Sequence, residues 1–206
     1  MKKITLLFSF LLMLGLPSNA FGKLEVPILI YHSIDDYKGH GSRELYVAPE
    51  NFEKQMMYLK NHGYTLLTFE RWQDINKVNK PIFITFDDGY KNNMNTLAIF
   101  QKLEDERFQP AGTIFVISDF IGRPNRLSKK ELKKMDETGF FSIQSHTATH
   151  PDLTKTKKYE YELKESNHRQ TGYRSCISVW KFQCQSSGRD EKILSIWGYD
   201  NTRTIF

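Results

Sequence analysis

Short apolar runs alternate with amphipathic stretches through most of this chain, and this rhythm limits the folds open to it. The sequence predicts five apolar strands, at residues 26–31, 64–68, 81–86, 113–117 and 140–144. Between them, apolar residues recur every three or four positions, as they do on one face of a helix. Strands that alternate with helices indicate repeated βα units around a parallel sheet, so the predicted fold class is α/β.

Three helices are predicted between the strands, and two of them carry recognisable end signals. Pro49 and Gly63 bound the first, residues 93–106 form the second, and Ser128, Glu131 and Gly139 mark the third. Proline suits a first helical turn, glycine suits the left-handed residue after a helix, and Ser with Glu three residues later forms a capping box. The apolar stripes of these helices are interpreted as core. A polar helix is predicted over residues 155–165.

The first 20 residues have the pattern of a secretory signal peptide. Lys2 and Lys3 precede an apolar run over residues 4–16, and small residues lead to a cleavage point after Ala20. The alternative is a membrane anchor, but the run is shorter than the ~20 residues that a span needs. The prediction is an exported protein with no stable membrane insertion. Its formal net charge of +5 is too small and scattered to indicate a nucleic-acid partner.

Two adjacent carboxylates follow the third strand directly. Asp87, Asp88, Gly89 and Tyr90 lie where parallel α/β sheets place their ligand and catalytic loops. An ordinary turn is the alternative, because Asp-Gly is common in turns. A second polar cluster favours a functional site.

That second cluster follows the fifth strand and contains His146 and His150. Histidines four residues apart lie on one side of a helical turn and can share one metal ion. Two imidazoles with one carboxylate form a three-ligand site that leaves zinc an open position for water or substrate. One of the two aspartates would then bind the metal, and its neighbour would act as a base.

Both clusters carry a resemblance to a known family. TFDDGY at residues 85–90 and SHTATHPDL at residues 145–153 resemble the first two motifs of the polysaccharide deacetylases, the NodB-homology proteins or carbohydrate esterase family 4. The segments at residues 26–35, 49–64 and 112–118 also resemble secreted Gram-positive members. The resemblance covers roughly residues 26–166.

The resemblance implies a distorted (β/α) barrel of the NodB type with a metal-dependent site. It implies Asp87 as the general base, and Asp88, His146 and His150 as ligands of a divalent metal, zinc with cobalt or nickel as alternatives. The implied reaction removes N-acetyl groups from polysaccharide that contains N-acetylglucosamine. The products are acetate and a free amino sugar.

Three further residues are candidates for the wall of this site by position: His32, Tyr90 and Thr149. For His32, an ordinary structural histidine is an equal alternative. The expected partner is peptidoglycan or a poly-N-acetylglucosamine-like polymer, outside the cell or in the cell wall. Two other functions stay open: a non-catalytic carbohydrate-binding protein and an O-acetyl esterase acting on xylan-like substrates.

The pattern breaks after Ser166, and residues 167–206 form an aberrant tail beyond a deacetylase-like region at residues 21–166. The tail holds both cysteines, Cys176 and Cys184, whose pairing would suit an exported protein, but it lacks the later family motifs. Written as ATA TCC GTT TGG AAA and read one base later, residues 177–181 become Tyr-Pro-Phe-Gly, which is a family motif. The hypothesis is a shifted reading frame and a barrel incomplete at its C-terminal end; a divergent natural tail is the alternative.

Overall fold

A computed structural model of the chain describes residues 26–158 and 160–162. This part contains strands β1 (Ile28–Tyr31), β2 (Ser33–Ile34), β3 (Tyr46–Val47), β4 (Thr65–Leu67), β5 (Pro81–Phe86), β6 (Gly112–Val116) and β7 (Phe141–Ser145). Its α-helices are α1 (Pro49–Asn61), α2 (Met94–Leu103) and α3 (Lys129–Glu137). The predicted signal peptide, Cys176, Cys184 and the tail lie outside the described residues.

The main sheet is entirely parallel, which confirms the predicted α/β class. Its order is β1, β5, β6, β7, and β4 also pairs with β5. Phe83 of β5 pairs with both β1 and β4, so these two strands lie on opposite edges of β5. In the described part of the chain, β1 and β7 stand at the two ends of the sheet. Closure into a barrel is a prediction about residues outside that part.

One face of the sheet packs against the three helices and forms the hydrophobic core. Aromatic rings fill its centre: Phe100 of α2 stacks on Phe141 with centroids 5.1 Å apart, and Phe52 of α1 lies 5.7 Å from Phe86. Alternate residues of β5 and β6 contribute Ile82, Ile84, Phe86, Ile114 and Val116. Burying this apolar surface holds helices and sheet together.

The opposite face is more polar and leads toward the site. Thr85, Thr113, Ser142 and Gln144 are buried on it, in register across β5, β6 and β7. A 3₁₀-helix at Phe69–Asp74 covers part of this face, where the Phe69 ring stacks on Phe83 with centroids 4.8 Å apart. The sequence pattern did not predict this helix or the short β2–β3 pair.

The helix predicted over residues 155–165 is wrong at its start. Residues 155–158 are non-helical, and helical geometry is present at residues 160–162. Asp152 explains the difference, because its Oδ1 accepts hydrogen bonds from the backbone N–H and the hydroxyl of Thr154. Such local bonds compete with helix formation. No described helix is long and apolar enough to cross a bilayer.

Candidate metal and catalytic site

The site lies at the carboxyl ends of three neighbouring parallel strands, β5, β6 and β7. The Asp87 N–H extends the ladder beyond β5 by donating to the Tyr31 carbonyl at 2.8 Å. The His146 N–H does the same beyond β7, donating to the Val116 carbonyl at 2.8 Å. Since all three strands run in one direction, their terminal loops meet at one edge of the sheet.

A sharp turn after β5 presents the two carboxylates. Asp88 and Gly89 have φ angles of +67° and +62°. A Cβ on Gly89 would lie 2.8 Å from Cγ1 of Val116, so this position requires glycine for both conformation and space. The Gly89 carbonyl accepts a bond from the Leu127 N–H at 2.9 Å. The turn is thus packed tightly against β6.

The loop after β7 presents the two histidines in a similarly constrained backbone. Thr147 and His150 have φ angles of +68° and +61°, in the left-handed region. The His150 N–H donates to the Thr147 hydroxyl at 3.0 Å. The Ser118 and Asp119 N–H groups donate to the carbonyls of Thr147 and Ala148 at 3.1 and 3.0 Å. These bonds hold the loop against the end of β6.

Three donor atoms converge between these loops. Nε2 of His146 and Nε2 of His150 are 3.1 Å apart, and they lie 3.6 and 3.8 Å from Oδ1 of Asp88. A zinc ion bound about 2.0–2.1 Å from tetrahedral ligands keeps those ligands about 3.3 Å apart. Asp88 Oδ1 is buried and has no hydrogen-bond partner among the described residues. The donor set and its spacing therefore fit a divalent ion, and Asp88, His146 and His150 would hold it.

The electrostatics distinguish the two aspartates. Asp87 is 4% exposed, and its Oδ1 has no hydrogen-bond partner in the described ranges. Burial, with a smaller contribution from the Asp88 charge, raises the pKa of Asp87 to about 7. Burial also lowers the pKa of His146, with a further contribution from His150. A neutral imidazole is the form that binds metals, and a carboxylate with a pKa near neutrality suits a general base.

Comparison with known proteins identifies the family of this chain. The family model described as polysaccharide deacetylase matches residues 74–178, just over half of the 206 residues. The chain belongs to the polysaccharide deacetylase family. The NodB-like resemblance drawn from the two motifs is confirmed.

Solved structures of deacetylases share the fold. The crystal structure of a polysaccharide deacetylase from Bacillus cereus is 59% identical, with a TM-score of 0.68 over 70% of this chain and 46% of that one. The Streptococcus pyogenes deacetylase PplD, solved in complex with acetate, is 26% identical, with a TM-score of 0.61 over 72% of this chain and 70% of that one.

A curated relative adds a named substrate. The poly-β-1,6-N-acetyl-D-glucosamine N-deacetylase of Staphylococcus aureus (strain MRSA252) is 30% identical over 125 residues, which are 54% of this chain and 40% of the relative. The chain spans less than half the length of the curated relatives it matches.

His32, one of the three candidate wall residues, follows β1 and is half-buried at the same edge of the sheet. Burial lowers its pKa, while the Asp88 carboxylate acts in the opposite direction. His32 is therefore close enough to the candidate metal ligands to interact electrostatically with them. Its backbone carbonyl accepts a bond from the Asn93 side-chain amide at 2.7 Å.

The other two candidates have specific partners. The Arg126 guanidinium lies over the ring of Tyr90, with its Cζ 3.7 Å from the ring centroid. Tyr90 and Ser33 also line a polar cavity of about 410 Å³. The Thr149 hydroxyl donates to Oε1 of Glu162 at 2.7 Å. Their role as wall residues stays a prediction.

The sequence patterns did not identify two residues that shape the histidine loop. The hydroxyl of Thr147 caps the His150 N–H, and a Ser or Thr three residues before a ligand could have indicated this bond. Glu162 accepts bonds from Thr149 across 13 positions in the chain. No local pattern signals that contact.

Proposed function

We propose that this chain is a divalent-metal-dependent hydrolase that removes N-acetyl groups from polysaccharide containing N-acetylglucosamine. The observation that carries the proposal is the convergence of Asp88, His146 and His150 beside a buried carboxylate, Asp87. The donor set of two imidazoles and one carboxylate supports zinc, with cobalt and nickel as substitutes.

Each residue at the site then has a distinct task. The chemistry that a divalent ion supplies is polarisation of the acetyl carbonyl and a lowered pKa of water. Asp87 accepts the proton of the attacking water, and its buried Oδ1, which has no hydrogen-bond partner among the described residues, is available for that role. Asp88, His146 and His150 would hold the ion. The leaving amine must gain a proton, which balances the one that Asp87 removes from water.

The substrate class follows from the relative's name and the predicted export. The S. aureus relative is named as a deacetylase of poly-β-1,6-N-acetyl-D-glucosamine. The signal-peptide pattern at residues 1–20 supports action outside the cell, where such polymers and peptidoglycan occur. We therefore propose an exported or cell-wall-associated enzyme acting on one of these two polymers.

Acetate release tests the proposal directly. The purified chain is incubated with β-1,6-linked N-acetylglucosamine oligomers after chelation, and again after adding zinc or cobalt. We expect release only with metal, and a loss of ~10²–10⁴-fold in Asp87→Asn, the usual contribution of a general base. Asp87→Asn should still bind zinc. His62→Ala is the control, because His62 is exposed and stacks on Tyr58 in α1.

Other outcomes distinguish the alternatives. Full activity in Asp87→Asn would show that the base is assigned wrongly. Glycan binding without acetate release would indicate a non-catalytic binding protein. Release from acetylated xylan but not from N-acetylglucosamine oligomers would indicate an O-acetyl esterase.

A further inference from the structure

Glu162 is a buried carboxylate outside the set of catalytic and ligand residues. It is 3% exposed. Its Oε2 accepts the Thr149 N–H at 2.8 Å, and its Oε1 accepts the Thr149 hydroxyl at 2.7 Å. Burying a carboxylate is unfavourable unless hydrogen bonds satisfy it, and bonds to an ionised group are strong ones. Both oxygens of Glu162 therefore hold the same residue.

The residue that Glu162 holds directly precedes His150. The carbonyls of Thr147 and Ala148 are already tied to the end of β6 by the Ser118 and Asp119 N–H groups. Thr149 has no such bond to β6, and its N–H and hydroxyl turn to Glu162 instead. The loop is thus held from two sides, by β6 and by the helical residues 160–162.

This attachment from two sides constrains the orientation of the His150 imidazole. His150 is the more exposed histidine of the pair, with its side chain 45% exposed against 18% for His146. Its φ of +61° is a strained conformation for a non-glycine residue. Such a conformation persists when surrounding bonds fix it, and the bonds to Thr149 act on the adjacent peptide.

We propose that Glu162 is a positioning residue, which fixes Thr149 and thereby directs the His150 imidazole toward Asp88 and His146. The inference rests on the proposed metal site. Glu162 itself contacts none of the three donor atoms in the contacts described, so it acts through Thr149. Ligands held by such outer bonds typically lose affinity for metal when the outer partner is changed.

The test compares two substitutions on one short segment. Glu162→Gln keeps the side-chain size but offers one acceptor oxygen in place of two. Glu160→Gln is the matched control, because Glu160 is exposed two residues earlier and the charge change is the same. We expect zinc affinity to fall by ~10–100-fold in Glu162→Gln and to stay unchanged in Glu160→Gln. The visible spectrum of the cobalt-loaded protein should change in Glu162→Gln alone, since it reports ligand geometry.

Amide exchange of the metal-free protein separates this inference from the metal site itself. Glu162→Gln should accelerate exchange at the Thr149 N–H, and Glu160→Gln should not. If the unsubstituted chain binds neither zinc nor cobalt, the proposed metal site fails, while amide exchange still reports whether Glu162 holds the loop.

The inference would be overturned if Glu162→Gln exchanged faster at Thr149 yet bound zinc and cobalt like the unsubstituted chain, which would leave Glu162 a purely structural link. Unchanged exchange would overturn it as well. Thr149→Val provides a milder variant should Glu162→Gln fold poorly. This substitution removes the hydroxyl bond to Glu162 but keeps the N–H bond and a side chain of similar shape. Zinc affinity should also fall in this variant.

Discussion

Asp87 and Asp88 are neighbours in the chain, yet they occupy different surroundings. Asp88 has a left-handed backbone that turns its Oδ1 toward both imidazoles, while Asp87 stays in line with β5 and is almost fully buried. Two carboxylates in such different surroundings can take different chemical roles. Burial favours the protonated form of Asp87, so keeping Asp87 ionised in the folded state lowers the free energy of unfolding.

That cost gives the stability of the metal-free chain a defined pH dependence. The pKa of Asp87 rises from 3.8 to about 7 on folding, so the folded state holds its proton more tightly. Stability therefore falls as pH rises from about 4 to about 7, and the full penalty persists above that window. Asp87→Asn removes the penalty. In chelator, we expect Asp87→Asn to raise the unfolding temperature by a few degrees at pH 8 and by much less at pH 4.

The control for this measurement is Asp74→Asn. Hydrogen bonds from Lys77 and Arg71 lower the pKa of half-buried Asp74, so its removal should give no stabilisation at pH 8. Equal shifts of Asp87→Asn at both pH values would contradict the burial argument.

The two histidines of the site allow a direct test of ligation. We expect His146→Ala to weaken zinc binding by more than 100-fold, since changes to outer partners alone cost about 10–100-fold. Competition with a chromogenic chelator measures the affinity. His62→Ala should bind zinc like the unsubstituted chain, and a similar loss in both variants would argue against a site at His146.

Sequence could indicate these residues because each motif directly follows a strand. Parallel strands bring their carboxyl ends to one edge, so the aspartate pair and the histidine pair could be expected to meet there, while the choice of Asp88 as ligand came from the family resemblance. Glu162 could not be expected, since its contact with Thr149 depends on how residues 160–162 fold back. The pattern of apolar and polar residues around Glu162 is equally compatible with a helix that exposes Glu162 to solvent.

At the scale of elements, the strands were predictable because apolar runs end at turn residues. The predicted strand at residues 81–86 has the observed bounds of β5, and the capping box at Ser128 and Glu131 is present at the start of α3. The 3₁₀-helix at Phe69–Asp74 was not predictable. It depends on a ring contact between Phe69 and Phe83 rather than on any local period.

Gly89 packs the turn after β5 against Val116 of β6, so a substitution at Gly89 tests how closely these two elements pack. Gly89→Ala adds a Cβ 2.8 Å from Cγ1 of Val116 on a left-handed backbone. Gly122→Ala adds one at φ +82° with nothing within 4 Å, so it carries only the backbone strain. We expect Gly89→Ala to cost about 1–3 kcal/mol more in free energy of unfolding, the usual range for overpacking.

Urea denaturation of both variants gives this difference. Equal losses would mean that Val116 moves aside without cost. Zinc affinity should also fall in Gly89→Ala alone, because Asp88 precedes the displaced residue.

For the molecule as a whole, three strands of the main sheet, β1, β4 and β7, have one partner each in the described part. β1 pairs with β5 alone there, and its Ile28 and Ile30 side chains are 47% and 52% exposed. Unpaired parallel edges with apolar side chains favour self-association. A NodB-type barrel would require further strands to close this gap, and the shifted-frame hypothesis locates their coding sequence after Ser166.

Restoring the frame tests that hypothesis at the scale of the molecule. We expect a frame-restored chain to unfold at a higher temperature. If the restored residues supply a proton donor for the leaving amine, acetate release should rise by ~10²–10⁴-fold. The same chain carrying Asp87→Asn should gain the stability without the turnover. An uninterrupted gene around the Ser166 codon, with the tail present in tryptic peptides and no neighbouring deletion, would remove the hypothesis.

The unequal exposure of the two imidazoles makes the candidate metal site easier to reach from the His150 side. His146 is 18% exposed and His150 is 45% exposed, so water reaches His150 first. Small chelators should therefore strip the protein by an associative route from the His150 side, at a rate that depends on their concentration.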